Sequence, residues 1–183
     1  MIKLLALCGS LRRASLNAIL LRATQRITPD EITIEIYPTL GNLPLFNPDL
    51  ESSLPAPVVD LRDSIIQADG LIIASPEYAR GISGVMKNAL DWMVGNESFV
   101  YKPVMLLNTS PRAYHALDAL RLTLQTMSAV VVDEAHVAVQ IMGTRLDEDG
   151  IVNGVEISES LRSALRIFAI SIVDVQHKSH VSN

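Results

Sequence analysis

The sequence predicts an α/β fold, a doubly wound five-stranded parallel sheet with helices on both faces. Three observations carry that prediction. The strands are nearly continuous runs of Val, Ile, Leu and Ala, the pattern of strands buried on both faces. They alternate along the chain with helical segments, which implies right-handed crossovers between parallel neighbours. The composition is 49% hydrophobic but only 4% aromatic, an aliphatic core that suits a helix-covered sheet better than an aromatic-rich β-sandwich.

The elements follow in order. IKLLALC (2–8) is the first buried strand, ended by Gly9-Ser10. Residues 16–27 repeat Leu16, Ile19, Leu20, Ala23 and Ile27 at helical spacing, and Thr28-Pro29-Asp30 stops that helix. ITIEIY alternates as a second strand over 32–37. Residues 38–57 contain five prolines with Gly, Asn and Ser, and are expected to be a long surface loop. A helix is expected near 58–68, a third strand at GLIIAS (70–75) and a helix over about 84–94. PVMLLN (103–108) gives the fourth strand, followed by a helix near 112–127. AVVVDEAHVAV (129–139) holds the fifth strand, broken around Asp133-Glu134. A polar stretch, GTRLDEDGIVNG, precedes a last helix over 156–175. With no repeat or linker, residues 1–183 are expected to form one domain, with 176–183 frayed.

Composition narrows the function. A net charge of −5 lacks the basic face that nucleic acid requires. The apolar run at the N-terminus is too short for a signal segment or a membrane span, so a cytoplasmic protein with no membrane partner is expected. Cys8 is the single cysteine; inside a buried strand it is read as a small hydrophobe. His115, His136, His177 and His180 are scattered, with no metal-ligand spacing, and are expected to be structural or exposed.

In a doubly wound sheet ligands bind outside the carboxyl ends of the strands, at the topological switch point. The informative segments therefore follow strands one, three and four. GSLRRASLN (9–17) is neither G-x-G-x-x-G nor a P-loop. It offers Ser10, Arg12, Ser15 and Asn17 beside a helix start, where amides and the macrodipole favour an anion such as a phosphomonoester. The alternative is that Ser15 only caps the helix and the arginines are solvated. After the third strand, SPEYARGISGVMKNALDW (75–92) places Pro76 where it cannot continue the ladder and Tyr78 where it can flank a planar ring. Gly81 and Gly84 are expected to allow close approach or positive φ.

These two segments resemble the NADPH-dependent FMN reductase family, the flavodoxin-like group that includes bacterial quinone and chromate reductases. The family's G-S-L-R-x-x-S-x-N loop is matched by Gly9, Ser10, Leu11, Arg12, Ser15 and Asn17. Its [ST]-P-E-Y-N-x-S-x-P-G-x-L-K-N-A-[IL]-D-W segment is matched at Ser75 to Tyr78, Gly84 and Lys87 to Trp92. The resemblance covers roughly residues 1–175.

It implies FMN as cofactor, its phosphate held at Ser10, Arg12, Ser15, Leu16 and Asn17, and its ring between Pro76, Glu77, Tyr78 and Thr109, Ser110, Arg112. It also implies NADPH or NADH as hydride donor, a quinone-like acceptor, and a homodimer or dimer of dimers packed through the helix after Gly84. No catalytic side chain is implied, since the flavin performs the chemistry. A flavodoxin-type electron carrier is the alternative function. A fold relative that has lost flavin is a third. This chain departs from the family pattern at Ala79, at Ser83 and in the glycine-free loop Thr109-Ser110-Pro111-Arg112-Ala113-Tyr114. There Arg112 points either to the N1 and O2 edge of the ring or to solvent.

Overall fold

The computed structural model describes residues 1–112 and 114–181, the last three of these by their backbone alone. The main strands are β1 (Ile2–Cys8), β2 (Ile32–Ile36), β3 (Gly70–Ala74) and, after a small hairpin of β4 (Glu77–Tyr78) and β5 (Gly81–Ile82), β6 (Pro103–Asn108). The fifth position in the sheet is shared by β7 (Val130–Val131) and β8 (Val137–Ala138). The strand order is β2-β1-β3-β6-β7, with β8 also on β6, and every pairing in this sheet is parallel. That is the flavodoxin-type order. The predicted break in the fifth strand is a 3-10 turn over Asp133–Ala135.

Alternate residues of each inner strand enter opposite cores. Leu4, Ala6, Ile72, Ala74, Met105 and Leu107 pack against α1 (Leu16–Arg26), α5 (Glu148–Asn153) and α6 (Val155–Val181). Leu5, Leu7, Leu71, Ile73, Val104 and Leu106 pack against α2 (Ala56–Gln67), α3 (Gly84–Val94) and α4 (Tyr114–Thr126). Two covered faces explain why these strands read as unbroken apolar runs.

Three elements differ from the sequence expectation. The stretch 143–154 contains α5, whose first amides are capped by Asp147, which accepts from Gly150 N at 2.8 Å. Glu148 and Asp149 in its first turn receive Arg22 and Arg26 of α1. Tertiary ion pairs thus support a helix too short to show periodicity. The last helix does not end near 175 but continues through Val181; Gln176 donates to Asp69 Oδ1 at 3.2 Å and ties this extension to the residue before β3. The loop 38–57 is not a free surface segment. Leu40 and Leu43 are buried, and Asn88 and Trp92 of α3 both donate to Pro44 O, at 3.0 and 2.7 Å. Phe46 meets the Trp92 ring edge-on.

The apolar face of α3, Met86, Ala89, Leu90, Trp92 and Met93, is turned into this chain's own core. The apolar pattern of this helix is therefore satisfied internally and does not by itself call for a partner subunit. Among the described residues, no helix is long and apolar enough to cross a membrane.

The hairpin lies outside the main sheet, so its position depends on what it is tied to. The Glu77 carboxylate accepts from Ala116 N at 2.9 Å, in the first turn of α4, where a negative charge is favoured by the exposed amides and the dipole. At the tip, Ala79 and Arg80 have φ of 50° and 59°. Positive φ at both central residues of a two-residue loop is the type I′ geometry that Asn-Gly adopts readily and Ala-Arg does not. Gly81 and Gly84 carry no positive φ; the conformational demand falls on the two residues before them.

Two outcomes follow for urea unfolding. Glu77→Ala lowers stability by about 1–2 kcal/mol through loss of a charged acceptor at a helix start, and Glu77→Gln loses less. Arg80→Gly raises stability by about 0.5–1 kcal/mol by relieving the left-handed conformation.

Candidate functional site

The strands end in register. Cys8 pairs with Ala74, Ala74 with Leu107 and Leu107 with Val137. The segments after β1, β3, β6 and β8 therefore leave the sheet along one edge. They enclose a cavity of about 260 Å³.

The first wall is the loop into α1. Gly9 N donates to Ala74 O at 2.8 Å, and a Cβ at this position would lie 2.5 Å from Ser75 Oγ and 2.9 Å from Ser83 Oγ. Only glycine lets this turn sit so close to the turn after β3. Ser15 is the N-cap of α1 and accepts from Ala18 N at 3.2 Å. The capping role is real, and it coexists with a place on the cavity lining. Leu16 and Asn17 supply the next two amides, which have no acceptor within a helix. No acidic residue occupies this first turn. Asn17 is 4% exposed and its Oδ1 is buried without a partner. Arg12 is exposed and has no ion pair among the described residues.

The second wall is Ser75, Pro76, Glu77 and Tyr78. Tyr78 is 54% exposed, a ring held at the rim and free on one side. The Glu77 side chain turns toward α4, so this residue lines the cavity while its carboxylate serves the scaffold.

The third wall follows β6. Asn108, Thr109 and Ser110 are each 5% exposed. Ser110 N donates to Asn108 Oδ1 at 3.0 Å, and Arg112 N donates to Ser110 Oγ at 3.3 Å. Side-chain acceptors thus shape a turn for which glycine is not needed. Thr109 O receives the amides of Ile141 and Met142, which ties the segment after β8 to this wall. Arg112 is exposed and lines the cavity.

All eleven residues singled out in the sequence, Ser10, Arg12, Ser15, Leu16, Asn17, Pro76, Glu77, Tyr78, Thr109, Ser110 and Arg112, line this one cavity. Ala14, Ser75, Asn108 and Met142 complete it. Met142, 56% exposed, had no motif to mark it; only its place after the edge strand brings it here. Among the described residues no His, Cys, Asp and Glu grouping forms a metal site. His115 stacks on Tyr114, with ring centroids 4.1 Å apart. His136 is half-buried behind the fifth strand, where burial pushes its pKa down. His177 is exposed, and the His180 side chain lies outside the described residues.

The donor set suits a phosphorylated ligand with a hydroxylated chain and a planar ring. Helix-start amides, a guanidinium and hydroxyls meet an anion at one end. The unpartnered Asn17 Oδ1 needs a donor, which a ligand hydroxyl supplies; turned over, the same amide offers its NH₂ to a phosphate oxygen. Tyr78 and Met142 give the other end an aromatic and apolar rim.

Comparison with known proteins agrees with this geometry. The model of the NADPH-dependent FMN reductase family matches residues 2–143. A 2-hydroxy-1,4-benzoquinone reductase of a Burkholderia species is 31% identical over 173 residues, covering 91% of this chain and 92% of that protein. An NAD(P)H-dependent FMN reductase of Pseudomonas aeruginosa is 32% identical over 155 residues, 81% and 83% of the two chains. The solved structure of FerB, a flavoenzyme NAD(P)H:(acceptor) oxidoreductase from Paracoccus denitrificans, superposes with a TM-score of 0.84 at 28% identity. It covers 95% of this chain and 98% of that one. A matched segment that spans all five strand positions, with the cavity built from it, carries the conclusion: the chain belongs to the NADPH-dependent FMN reductase family.

Proposed function

We propose that this chain is an FMN-dependent NAD(P)H oxidoreductase acting on quinone-like acceptors. The observation that carries the reading is the convergence of all eleven residues on one cavity. At one end of it stand an unpaired guanidinium and an unsatisfied buried Asn17 Oδ1.

When bound, FMN supplies two-electron chemistry, taking a hydride from the nicotinamide and passing the reducing equivalents to the acceptor. The chain's own residues bind and orient. Ser10, Arg12, Ser15, Leu16 and Asn17 hold the phosphate at the start of α1, where Arg12 and the amides offset its charge. Pro76, Glu77 and Tyr78 on one side and Thr109, Ser110 and Arg112 on the other form the walls for the ring. The exposed face of Tyr78 leaves room for a second planar molecule to stack, so donor and acceptor take the same place in turn. No general acid or base is required of the protein.

The same reading includes a homodimer or dimer of dimers. The apolar side of α3 is used internally, so the partner surface falls on exposed apolar residues near it, Val94 at its last position and Leu45 next to the Pro44 carbonyl that α3 binds. A cytoplasmic setting suits a reductase that draws on NAD(P)H. Light scattering on the purified protein gives a dimer or tetramer mass if the assembly is right and a 20.0 kDa mass if it is not.

The purified protein, titrated with FMN and followed by visible absorbance and flavin fluorescence, binds the cofactor. With NADPH or NADH and a quinone, it oxidises the nicotinamide. Absence of binding overturns the reading, and binding without oxidation of either nicotinamide leaves an electron carrier instead. Arg12→Ala weakens FMN binding by about tenfold or more, the worth of a charge-assisted phosphate contact, and leaves riboflavin binding nearly unchanged.

A further inference from the structure

We propose that Arg112 is an anion-recognition residue that favours aromatic acceptors carrying an acidic substituent, such as a carboxylate, a sulfonate or the ionised hydroxyl of a hydroxyquinone. The inference rests on the reductase reading and concerns the acceptor side of the same cavity.

Charge pairing elsewhere in the molecule sets the contrast. Arg22, Arg26, Arg62, Arg121 and Arg162 each meet a carboxylate. Among the described residues, Arg12, Arg13, Arg80, Arg112, Arg145 and Arg166 have none. Arg166 stands on α6; the other five follow the carboxyl end of a strand, after β1, in the hairpin after β3, and after β6 and β8. Two of these, Arg12 and Arg112, line the cavity of a chain whose net charge is −5. Glu77, the acidic residue on the cavity lining, has its carboxylate occupied by the Ala116 amide.

Arg112 differs from the rest of its wall. The amides of Ser110 and Arg112 are already engaged by Asn108 Oδ1 and Ser110 Oγ. Thr109 and Ser110 are nearly closed to solvent. The guanidinium is thus the strongest free donor that this wall presents to an incoming molecule. The Arg112 backbone also leaves a different strand end from the anion site at α1. Arg12 follows β1 and Arg112 follows β6, with β3 between them, a separation of two strand spacings or about 10 Å. With Arg12 and the helix-start amides to meet the phosphate, Arg112 is the donor assigned to a second anion. Tyr78 and Met142 line the same cavity and give a planar ring its apolar contacts, while a fork of N–H donors matches a carboxylate or sulfonate. The reaction itself balances as NAD(P)H plus H⁺ plus quinone giving NAD(P)⁺ plus hydroquinone, and the acidic substituent is unchanged by it.

The test compares the FMN-loaded wild type with Arg112→Gln and Arg112→Lys, using NADPH with 1,4-naphthoquinone and 1,4-naphthoquinone-2-sulfonate. The ratio of kcat/KM for the sulfonated over the parent quinone falls about tenfold or more in Arg112→Gln and less in Arg112→Lys. Because the same ratio is compared between proteins, the quinones' own reactivity cancels. Raising the salt concentration shrinks the wild-type ratio and not that of Arg112→Gln. An unchanged ratio overturns the proposal, and an unchanged ratio with weakened FMN binding assigns Arg112 to the flavin. A second arm needs no turnover: naphthalene-2-sulfonate is titrated into the protein by calorimetry. Arg112-dependent binding in a protein that reduces neither quinone overturns the reductase reading and keeps the anion site. Binding that ignores Arg112 overturns the anion site itself.

Discussion

The parallel register of three strands is the constraint on which the rest depends. Cys8, Ala74 and Leu107 stand side by side, so the backbone leaves the sheet after β1, β3 and β6 at one level. Nothing in the individual loops would bring Asn17, Tyr78 and Ser110 together. Their common edge does. That register is fixed by burial on both faces: sliding one strand by a single residue would exchange the side chains of the two cores, moving Leu71 and Ile73 into places shaped for Ile72 and Ala74.

The site is built as much by anchoring as by lining. Glu77 fastens the hairpin to α4, Asn88 and Trp92 fasten the loop before α2 to α3, and Thr109 fastens the segment after β8 to β6. Each is a polar group whose partner lies many residues away. Several of these residues stand in the motif that marks the family, and their side chains are spent on holding walls in place. The result is a cavity set before any ligand arrives, which lowers the ordering cost of binding.

The inner strands were legible because burial on two faces leaves a simple mark, the apolar runs of 2–8, 70–75 and 103–108. The eleven lining residues were legible because a doubly wound topology dictates where ligands go and the motifs sit in those places. What escaped had a tertiary cause. The six residues of α5 depend on Asp147 and on arginines more than 120 positions earlier. The helix beyond 175 has no periodicity of its own and is held by Gln176 on Asp69. Gly81 and Gly84 drew attention to positive φ, yet the turn imposes it on Ala79 and Arg80, since a two-residue loop matched to twisted strands fixes the backbone wherever the register puts it. The shared contact of Asn88 and Trp92 with Pro44 O has no mark in either segment, because it exists only once the loop 38–57 lies against α3.

The split in the fifth strand also bears on how the molecule coexists with its own kind at high concentration. An edge strand offers a row of unpaired amides and carbonyls to any other extended chain. Here that edge consists of two pieces of two residues each, separated by a turn carrying Asp133 and Glu134. Neither piece is long enough to template an added strand, and the acidic turn repels one. The same interruption that lets β8 reach the carboxyl edge and deliver Met142 to the cavity thus guards this border of the sheet, opposite the one formed by β2.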